Sequence, residues 1–236
     1  MELNVILTGA GNGHLQIAKD WEIIREIESN PSRAILRWYS WEPAAFSIGR
    51  GQKPENIFDL RKLDSTGVSW VERPTGGALV YHDMDISYSL TIPRENPWGI
   101  ETISDLYTFT TGAWIMGLEK LGIHAHPPSR GSIPARRDLR TAEKEICLAY
   151  HSPGDILIDG KKFGGSAQRR LAKAWHQQGF FLLRPVTPPD CFKDPLAIGL
   201  LMNCGTSLES CGYKIEAGRI SELLTESLIE KCRGTR

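Results

Sequence analysis

Two short β-rich runs separated by a pair of glycines, in residues 71–92, constrain the fold of this chain more than any other stretch. In the second run the apolar residues occupy every second position, which is the period of a strand with one buried face. These residues are Ile86, Tyr88, Leu90 and Ile92. The pair Gly76–Gly77 precedes them, and glycine lacks the Cβ that would keep another group away from the backbone. The stretch therefore predicts a half-buried strand with a ligand close to its entrance.

Periodicity and turn residues predict an α+β arrangement along the rest of the chain. Helices are predicted at about 14–29, 56–65 and 102–121. Strands are predicted at about 33–39, 44–48, 68–72, 78–82, 85–92, 146–150, 155–158, 161–168 and 175–184. Asp159-Gly160 predicts a type I′ hairpin turn between two of these strands. We expect residues 1–236 to form one domain, in which about 190–236 are closing helices and not a full accessory domain.

Composition narrows the classes of function. The chain has 28 basic and 28 acidic residues, so no overall field draws it to nucleic acid or to a membrane. No apolar run approaches the roughly 20 residues of a membrane-spanning helix, and the first residues lack the pattern of a signal peptide. The five cysteines fall in the last 90 residues without metal-like spacing. We therefore expect a cytoplasmic protein with reduced thiols and no metal site.

A second glycine-containing segment, residues 155–168, places a lysine pair directly after the predicted hairpin turn. A lysine beside glycine-rich backbone suits an anionic or carbonyl-bearing ligand. Taken separately, each segment has a plainer explanation. The pair Gly76–Gly77 alone is also typical of a tight turn, and Lys161 and Lys162 alone are also typical of solvated turn residues.

Taken together, the segments 73–83 and 155–168 resemble the lipoate–protein ligase and octanoyltransferase family, which has the biotin/lipoate ligase fold. Residues 9–20 resemble the opening helix of that family, and residues 41–52 resemble its second strand pair with a Gly-Arg-x-Gln loop. The resemblance covers about residues 5–185. It implies a central mixed β-sheet with surrounding helices. It also implies protein lipoylation, in which an eight-carbon acyl chain lies in an apolar tunnel and is transferred to the ε-amine of a lysine on a carrier domain.

The resemblance assigns roles to individual residues. Lys162 matches the lysine that holds the reactive carbonyl, where a fixed cation stabilises the negative charge that develops during acyl transfer. Two sets of residues would enclose the acyl chain or its adenylate. They are Arg73, Thr75, Gly76, Gly77 and His82 in the first segment, and Gly164, Gly165, Ser166 and Ala167 in the second.

Cys147 bears on the choice between the two mechanisms of the family. It lies fifteen residues before Lys162 on a predicted strand, which resembles the octanoyltransferase branch with the ligase-like fold. Near Lys162 its thiolate would have a depressed pKa and could form an acyl-enzyme thioester. The alternative is an inert core cysteine. Ala78 also departs from the third glycine of bacterial ligases, which favours the transferase. Gln178 stands where the family often has histidine, and this leaves the role of that position open without favouring either mechanism.

These features favour a cysteine-dependent transferase that takes octanoyl from acyl carrier protein and has no tightly bound cofactor. The alternative is an ATP-dependent ligase that uses lipoate, Mg²⁺ and a lipoyl-adenylate. A third hypothesis is a non-catalytic module that binds a lipoyl group or a carrier domain. A biotin ligase would need an arginine-rich adenylate loop that residues 73–77 do not provide. The expected acceptors are lipoyl domains of 2-oxoacid dehydrogenase E2 or glycine cleavage H protein. We expect the protein itself to be a monomer.

An arginine-rich loop at 127–145 is a second candidate for partner binding. Its arginines are Arg130, Arg136, Arg137 and Arg140. They would suit an acidic carrier surface, although an ordinary solvated loop has the same composition.

Overall fold

A computed structural model describes residues 1–134 and 138–234. Its main feature is a six-stranded mixed sheet with the strand order β1-β2-β6-β9-β8-β7. Strands β1 and β2 are parallel, and the other neighbours are antiparallel. The six strands are β1 (Glu2–Gly11), β2 (Arg33–Trp41), β6 (Asp85–Pro93), β7 (Ile156–Ile158), β8 (Lys161–Arg170) and β9 (Ala174–Leu182).

A smaller sheet with the order β4-β3-β5 lies beside the first. Its strands are β3 (Ala45–Ile48), β4 (Ser69–Glu72) and β5 (Val80–His82). The helices are α1 (Gly13–Ser29), α2 (Pro54–Ile57), α3 (Leu60–Thr66), α4 (Ile103–Lys120), α5 (Thr141–Glu145), α6 (Leu196–Asn203) and α7 (Ala217–Gly234). Within the described residues, no helix combines the length and the hydropathy that crossing a bilayer requires.

Helices cover both faces of the main sheet. Helix α1 begins where the Asn12 side chain accepts a hydrogen bond from the Leu15 amide, and it packs against β2, β6 and β9. Helices α4 and α7 pack together on the other face, where Trp114 and Leu224 join the largest hydrophobic core. One face of the sheet is therefore closed by a helix pair, while α1 and the smaller sheet share the other.

Strand β6 is buried along its whole length, so the prediction of a half-buried strand is wrong in this respect. Its apolar residues face α4 and α7, as the alternation predicted. Its polar residues Ser87 and Ser89 face α1 and the smaller sheet, and both are hydrogen-bonded to buried carboxylates. A short hydroxyl can be buried in this way because its hydrogen bond offsets the loss of water.

Several other local predictions need correction. Cys147–Ala149 form a 3₁₀ turn and not a strand, because the Ala149 amide donates to the Ile146 carbonyl three residues earlier. The predicted helix at 56–65 is two short helices, and β1 was not predicted. Of the predicted arginine loop, Arg136 and Arg137 lie outside the described residues, while residues 141–145 form α5. The type I′ turn is confirmed by positive φ at Asp159 and Gly160.

Candidate active site

A cavity of about 180 Å³ lies between the main sheet and the smaller sheet. Its floor is a row of residues paired across four strands, Tyr39 on β2, Ser87 on β6, Phe180 on β9 and Gly165 on β8. Because neighbouring strands are about 4.8 Å apart, three spacings make this row about 14 Å long. The cavity is therefore a trough that crosses the strands, with one end at β2 and the other at β8.

The roof of the trough comes from the smaller sheet and from the glycine loop, which we define as residues 73–79. Arg73 organises this loop, because its guanidinium donates to the carbonyls of Gly76 and Ala78, both at 2.8 Å. The same side chain donates to Ser47 on β3. Burial lowers the pKa of Arg73, and these carbonyls occupy donors that a ligand would otherwise take. Arg73, Gly76 and Gly77 all line the trough.

Close packing fixes the position of the glycine loop. A Cβ on Gly49 would lie 2.0 Å from the Gly77 carbonyl oxygen, so only glycine fits where β3 ends. Gly77 itself has a φ of +92°, a backbone conformation that favours glycine. The glycines of this region therefore serve contacts within the protein as well as access for a ligand.

Thr75 and Gln178 tie the glycine loop to the main sheet. Thr75 Oγ1 donates to Gln178 Oε1 at 2.9 Å, and Gln178 Nε2 donates to the buried carboxylate of Asp20 at 2.6 Å. Asp20 also accepts from Arg37 and Ser89. Gln178 lines the trough, whereas Thr75 lies behind it and anchors the loop. The prediction that Thr75 faces the acyl chain does not match this placement.

His82 lies in the part of the trough near β2. Its Nε2 is 2.8 Å from Ser47 Oγ, its Nδ1 is 3.0 Å from Asp85 Oδ2, and its ring stacks on Trp41 at 4.0 Å. Trp41 Nε1 in turn donates to Ser87 Oγ. Because these nitrogens and hydroxyls are already paired with one another, this part of the trough presents mainly ring faces to a ligand.

The opposite end, at β8, brings Cys147 and Lys162 together. Lys162 Nζ lies 3.9 Å from Cys147 Sγ, donates to the Cys147 carbonyl at 2.6 Å and forms a 2.6 Å ion pair with Asp155. Lys162 and Asp155 are fully buried. Burial lowers the pKa of Lys162, but the charge of a Cys147 thiolate and that of the Asp155 carboxylate raise it above its usual value. Cys147 lines the trough, and Lys162 lies directly behind it.

The expected depression of the Cys147 pKa is wrong. Burial raises the pKa of this thiol, and the nearby Lys162 lowers it by less. The resting form is therefore the thiol, beside a cation that would stabilise a thiolate when it forms. The prediction lacked the degree of burial of the Cys147 thiol, which the spacing of Cys147 and Lys162 in the sequence does not indicate.

The residues of the second glycine-containing segment do not all face the trough. Gly165, Ser166 and Ala167 line the trough. Gly164 faces away from it, because a Cβ there would lie 2.7 Å from the Phe180 carbonyl oxygen. The lining residues that sequence reasoning missed include Ile17, Tyr39, Trp41, Tyr107, Tyr150 and Ser152. Ile17 and Trp41 fall within the segments that resemble the family, but no signal in the sequence marked any of these side chains as part of the site. Only the fold brings them there.

Solved structures with the same fold include lipoate–protein ligases. The chain aligns with a lipoate-protein ligase A bound with ATP at a TM-score of 0.77 and 22% identity, over 99% of this chain and 86% of the other. It aligns with Ta0514 of T. acidophilum, a putative lipoate protein ligase with bound lipoic acid, at 0.75 and 21%, over 99% and 87%. The predicted mixed sheet with surrounding helices is therefore confirmed as a lipoate–protein ligase fold.

Sequence comparison gives the family. Residues 12–200 match the lipoyl protein ligase A/B catalytic domain, and the chain belongs to this family. Octanoyltransferase LipM of Clostridioides difficile is 32% identical over 179 residues, which are 76% of this chain and 65% of the relative. LipM of Kyrpidia tusciae is 28% identical over 232 residues, 94% of this chain and 84% of the relative. The match with LipM of Staphylococcus epidermidis likewise covers 65% of that protein's length.

Proposed function

We propose that this protein is an enzyme of protein lipoylation that transfers an octanoyl group from a thioester donor to the ε-amine of a lysine on a lipoyl carrier domain. The observation that carries the proposal is the position of Cys147 at one end of the trough, 3.9 Å from the ammonium of Lys162. The LipM relatives, whose names describe octanoyl transfer, support the same reading.

The dimensions of the trough suit this substrate. An extended octanoyl chain has seven carbon–carbon bonds of about 1.5 Å in a zigzag, so it spans about 9 Å. A chain attached to Cys147 would therefore lie along the row from Gly165 over Phe180 and end near Ser87, short of Tyr39. The ring faces of this region bury a hydrocarbon tail, which is favourable by about 0.8 kcal/mol per methylene group.

The reaction proceeds by two acyl transfers. The Cys147 thiolate attacks the thioester carbonyl, the carbon–sulfur bond of the donor breaks, and the donor thiol leaves with a proton. The amine of the acceptor lysine then attacks the enzyme thioester, loses a proton and releases the Cys147 thiol. Negative charge develops on the carbonyl oxygen in each step. The fixed ammonium of Lys162 would stabilise that charge, because Asp155 and the Cys147 carbonyl already hold it in place.

The donor and acceptor follow from this chemistry. Acyl carrier protein would supply the octanoyl thioester, and E2 or H-protein lipoyl domains would accept the group. No tightly bound cofactor is needed. The alternative is an ATP-dependent ligase that forms a lipoyl-adenylate from lipoate, with ATP and Mg²⁺ as co-substrates. The single-domain organisation of residues 1–236, the monomeric state and the cytoplasmic location stay predictions.

Intact-mass spectrometry distinguishes these possibilities. The protein is incubated with octanoyl–acyl carrier protein without ATP, and we expect a mass gain of one octanoyl group. This gain disappears in Cys147→Ala and persists in Cys191→Ala, which removes a buried cysteine that lies in the core and not at the trough. Absence of the adduct, with ATP-dependent lipoyl transfer that survives Cys147→Ala, would support the ligase. Absence of both activities would support a binding module.

A further inference from the structure

The end of the trough at β2 is closed by three side chains, Ile17 from α1 and Tyr39 and Trp41 from β2. Tyr39 and Trp41 are held by hydrogen bonds, since the Tyr39 hydroxyl donates to Asp20 and Trp41 Nε1 donates to Ser87. Ile17 is held by packing alone and is almost fully buried. It is therefore the closing residue whose size can change without removing a buried polar contact.

A second cavity, of about 570 Å³, also borders Ile17. It is open to solvent and is lined by polar as well as apolar side chains. Its walls include Leu63 on α3 and Val68 beside it, together with Trp70 and Val71 on β4. Among the residues that the structure describes, Ile17 alone lines both cavities. Val71 also packs on Ile17 in the same hydrophobic cluster. The two cavities thus meet at Ile17, whose side chain borders both of them.

We propose that Ile17 sets the upper length of the acyl chain that this protein accepts. The inference rests on the proposed function, because it takes the trough to hold an acyl chain with its carbonyl at Cys147. An octanoyl chain of about 9 Å ends before the β2 end of the 14 Å row, whereas a dodecanoyl chain of about 14 Å would run into the closing residues. Removal of the Ile17 side chain would open a continuous path into the second cavity.

The opposite change is informative as well. A larger residue at position 17 would extend into the trough and shorten it. Specificity for hydrocarbon length arises in this way, because a pocket that lacks room for one methylene discriminates by about 10-fold or more. We therefore expect a smaller and a larger residue at position 17 to shift the chain-length preference in opposite directions. A general loss of stability would produce neither shift.

The test measures acyl-enzyme formation with a panel of acyl–acyl carrier proteins from six to fourteen carbons. We expect Ile17→Ala to raise the rate with the twelve-carbon donor, relative to the eight-carbon donor, by about 10-fold or more. Ile17→Phe should shift the preference toward six carbons. Ile23→Ala is the matched control, because Ile23 is an equally buried isoleucine of α1 that packs against Ile27 and Ile35 away from the trough. It should keep the wild-type profile.

Calorimetric binding of free octanoic and dodecanoic acids gives a second readout that needs no turnover. If wild-type protein binds octanoate but forms no adduct, the transfer reaction is refuted and the role of Ile17 is still tested by the binding profiles. If the profile of Ile17→Ala matches that of wild type or of Ile23→Ala, the role of Ile17 is refuted although octanoyl transfer stands. If wild type neither reacts nor binds, both proposals fail. Ile17→Val, a smaller truncation, replaces Ile17→Ala if circular dichroism shows that the latter does not fold.

Discussion

Lys162→Met provides the most direct physical test of the candidate site. Methionine has nearly the length of lysine but no charge, so the substitution removes the ammonium without leaving a large cavity. The Asp155 carboxylate would then stay fully buried and keep only its hydrogen bonds to Ser152, at 2.7 and 3.0 Å. Breaking a buried ion pair from one side costs about 3–5 kcal/mol, because an uncompensated charge remains in the interior.

We therefore expect Lys162→Met to lower the free energy of unfolding by about 3–5 kcal/mol. This loss is a large fraction of the 5–15 kcal/mol that is typical of a folded domain. Urea denaturation at pH 7, followed by tryptophan fluorescence, measures it. The double variant Asp155→Asn/Lys162→Met contains no unpaired charge, so it should be more stable than Lys162→Met alone. The coupling energy of the cycle should reach about 2 kcal/mol or more.

Arg219→Met is the matched control for this cycle. Arg219 forms an ion pair with Glu222 at the same 2.6 Å distance, but both side chains are more than half exposed. Exposed pairs contribute little, so this variant should leave the free energy of unfolding nearly unchanged. A loss below about 1 kcal/mol in Lys162→Met, or additive effects of the two substitutions, would show that water reaches the pair and that Lys162 is not the fixed cation described above.

Two further predictions concern the glycine loop and a buried histidine. Gly49→Ala must displace the Gly77 carbonyl, so we expect a loss of about 1–3 kcal/mol in urea denaturation together with a weaker octanoyl adduct. Gly218→Ala on α7, where a Cβ meets nothing within 4 Å, should change neither, and equal behaviour of the two variants would contradict the packing argument. Burial lowers the pKa of His176 from 6.5 to about 4, so the unfolded chain binds more protons between these pH values. Stability should be complete above pH 6.5 and fall by up to about 3 kcal/mol as the pH drops from 6.5 through 4, at 1.36 kcal/mol per pKa unit. Urea titrations at pH 7, 5 and 4 measure this loss, and a His176→Gln variant with an equal pH dependence would refute the assignment to His176.

The amino-acid sequence was sufficient to predict those structural features that depend only on neighbouring residues. The type I′ turn at Asp159-Gly160 depends on two residues that tolerate positive φ, and the helices over about 14–29 and 102–121 depend on a 3.6-residue period and on capping side chains. The paired glycine segments were also sufficient to indicate the family. These features need no knowledge of distant contacts.

Other features depend on contacts between distant parts of the chain. The polar side of β6 looks solvent-exposed in the sequence, but α1 and the smaller sheet cover it. The predicted thiolate of Cys147 was wrong for a similar reason, because proximity to Lys162 favours ionisation while burial opposes it more strongly. The alternation of apolar and polar residues in a strand indicates which side chains share a face of the sheet. It does not indicate which elements cover that face.

The sequence by itself therefore determined the class of fold, the two glycine segments and the residues Cys147 and Lys162 as a pair to test. Only the tertiary structure decided that these residues lie at one end of a trough, that Thr75 and Gly164 do not line it, and that Ile17 closes its other end. The physical reason is that the trough runs perpendicular to the strands. Its floor joins residues on β2, β6, β9 and β8, which are far apart in sequence and are brought into one row by the register of the sheet.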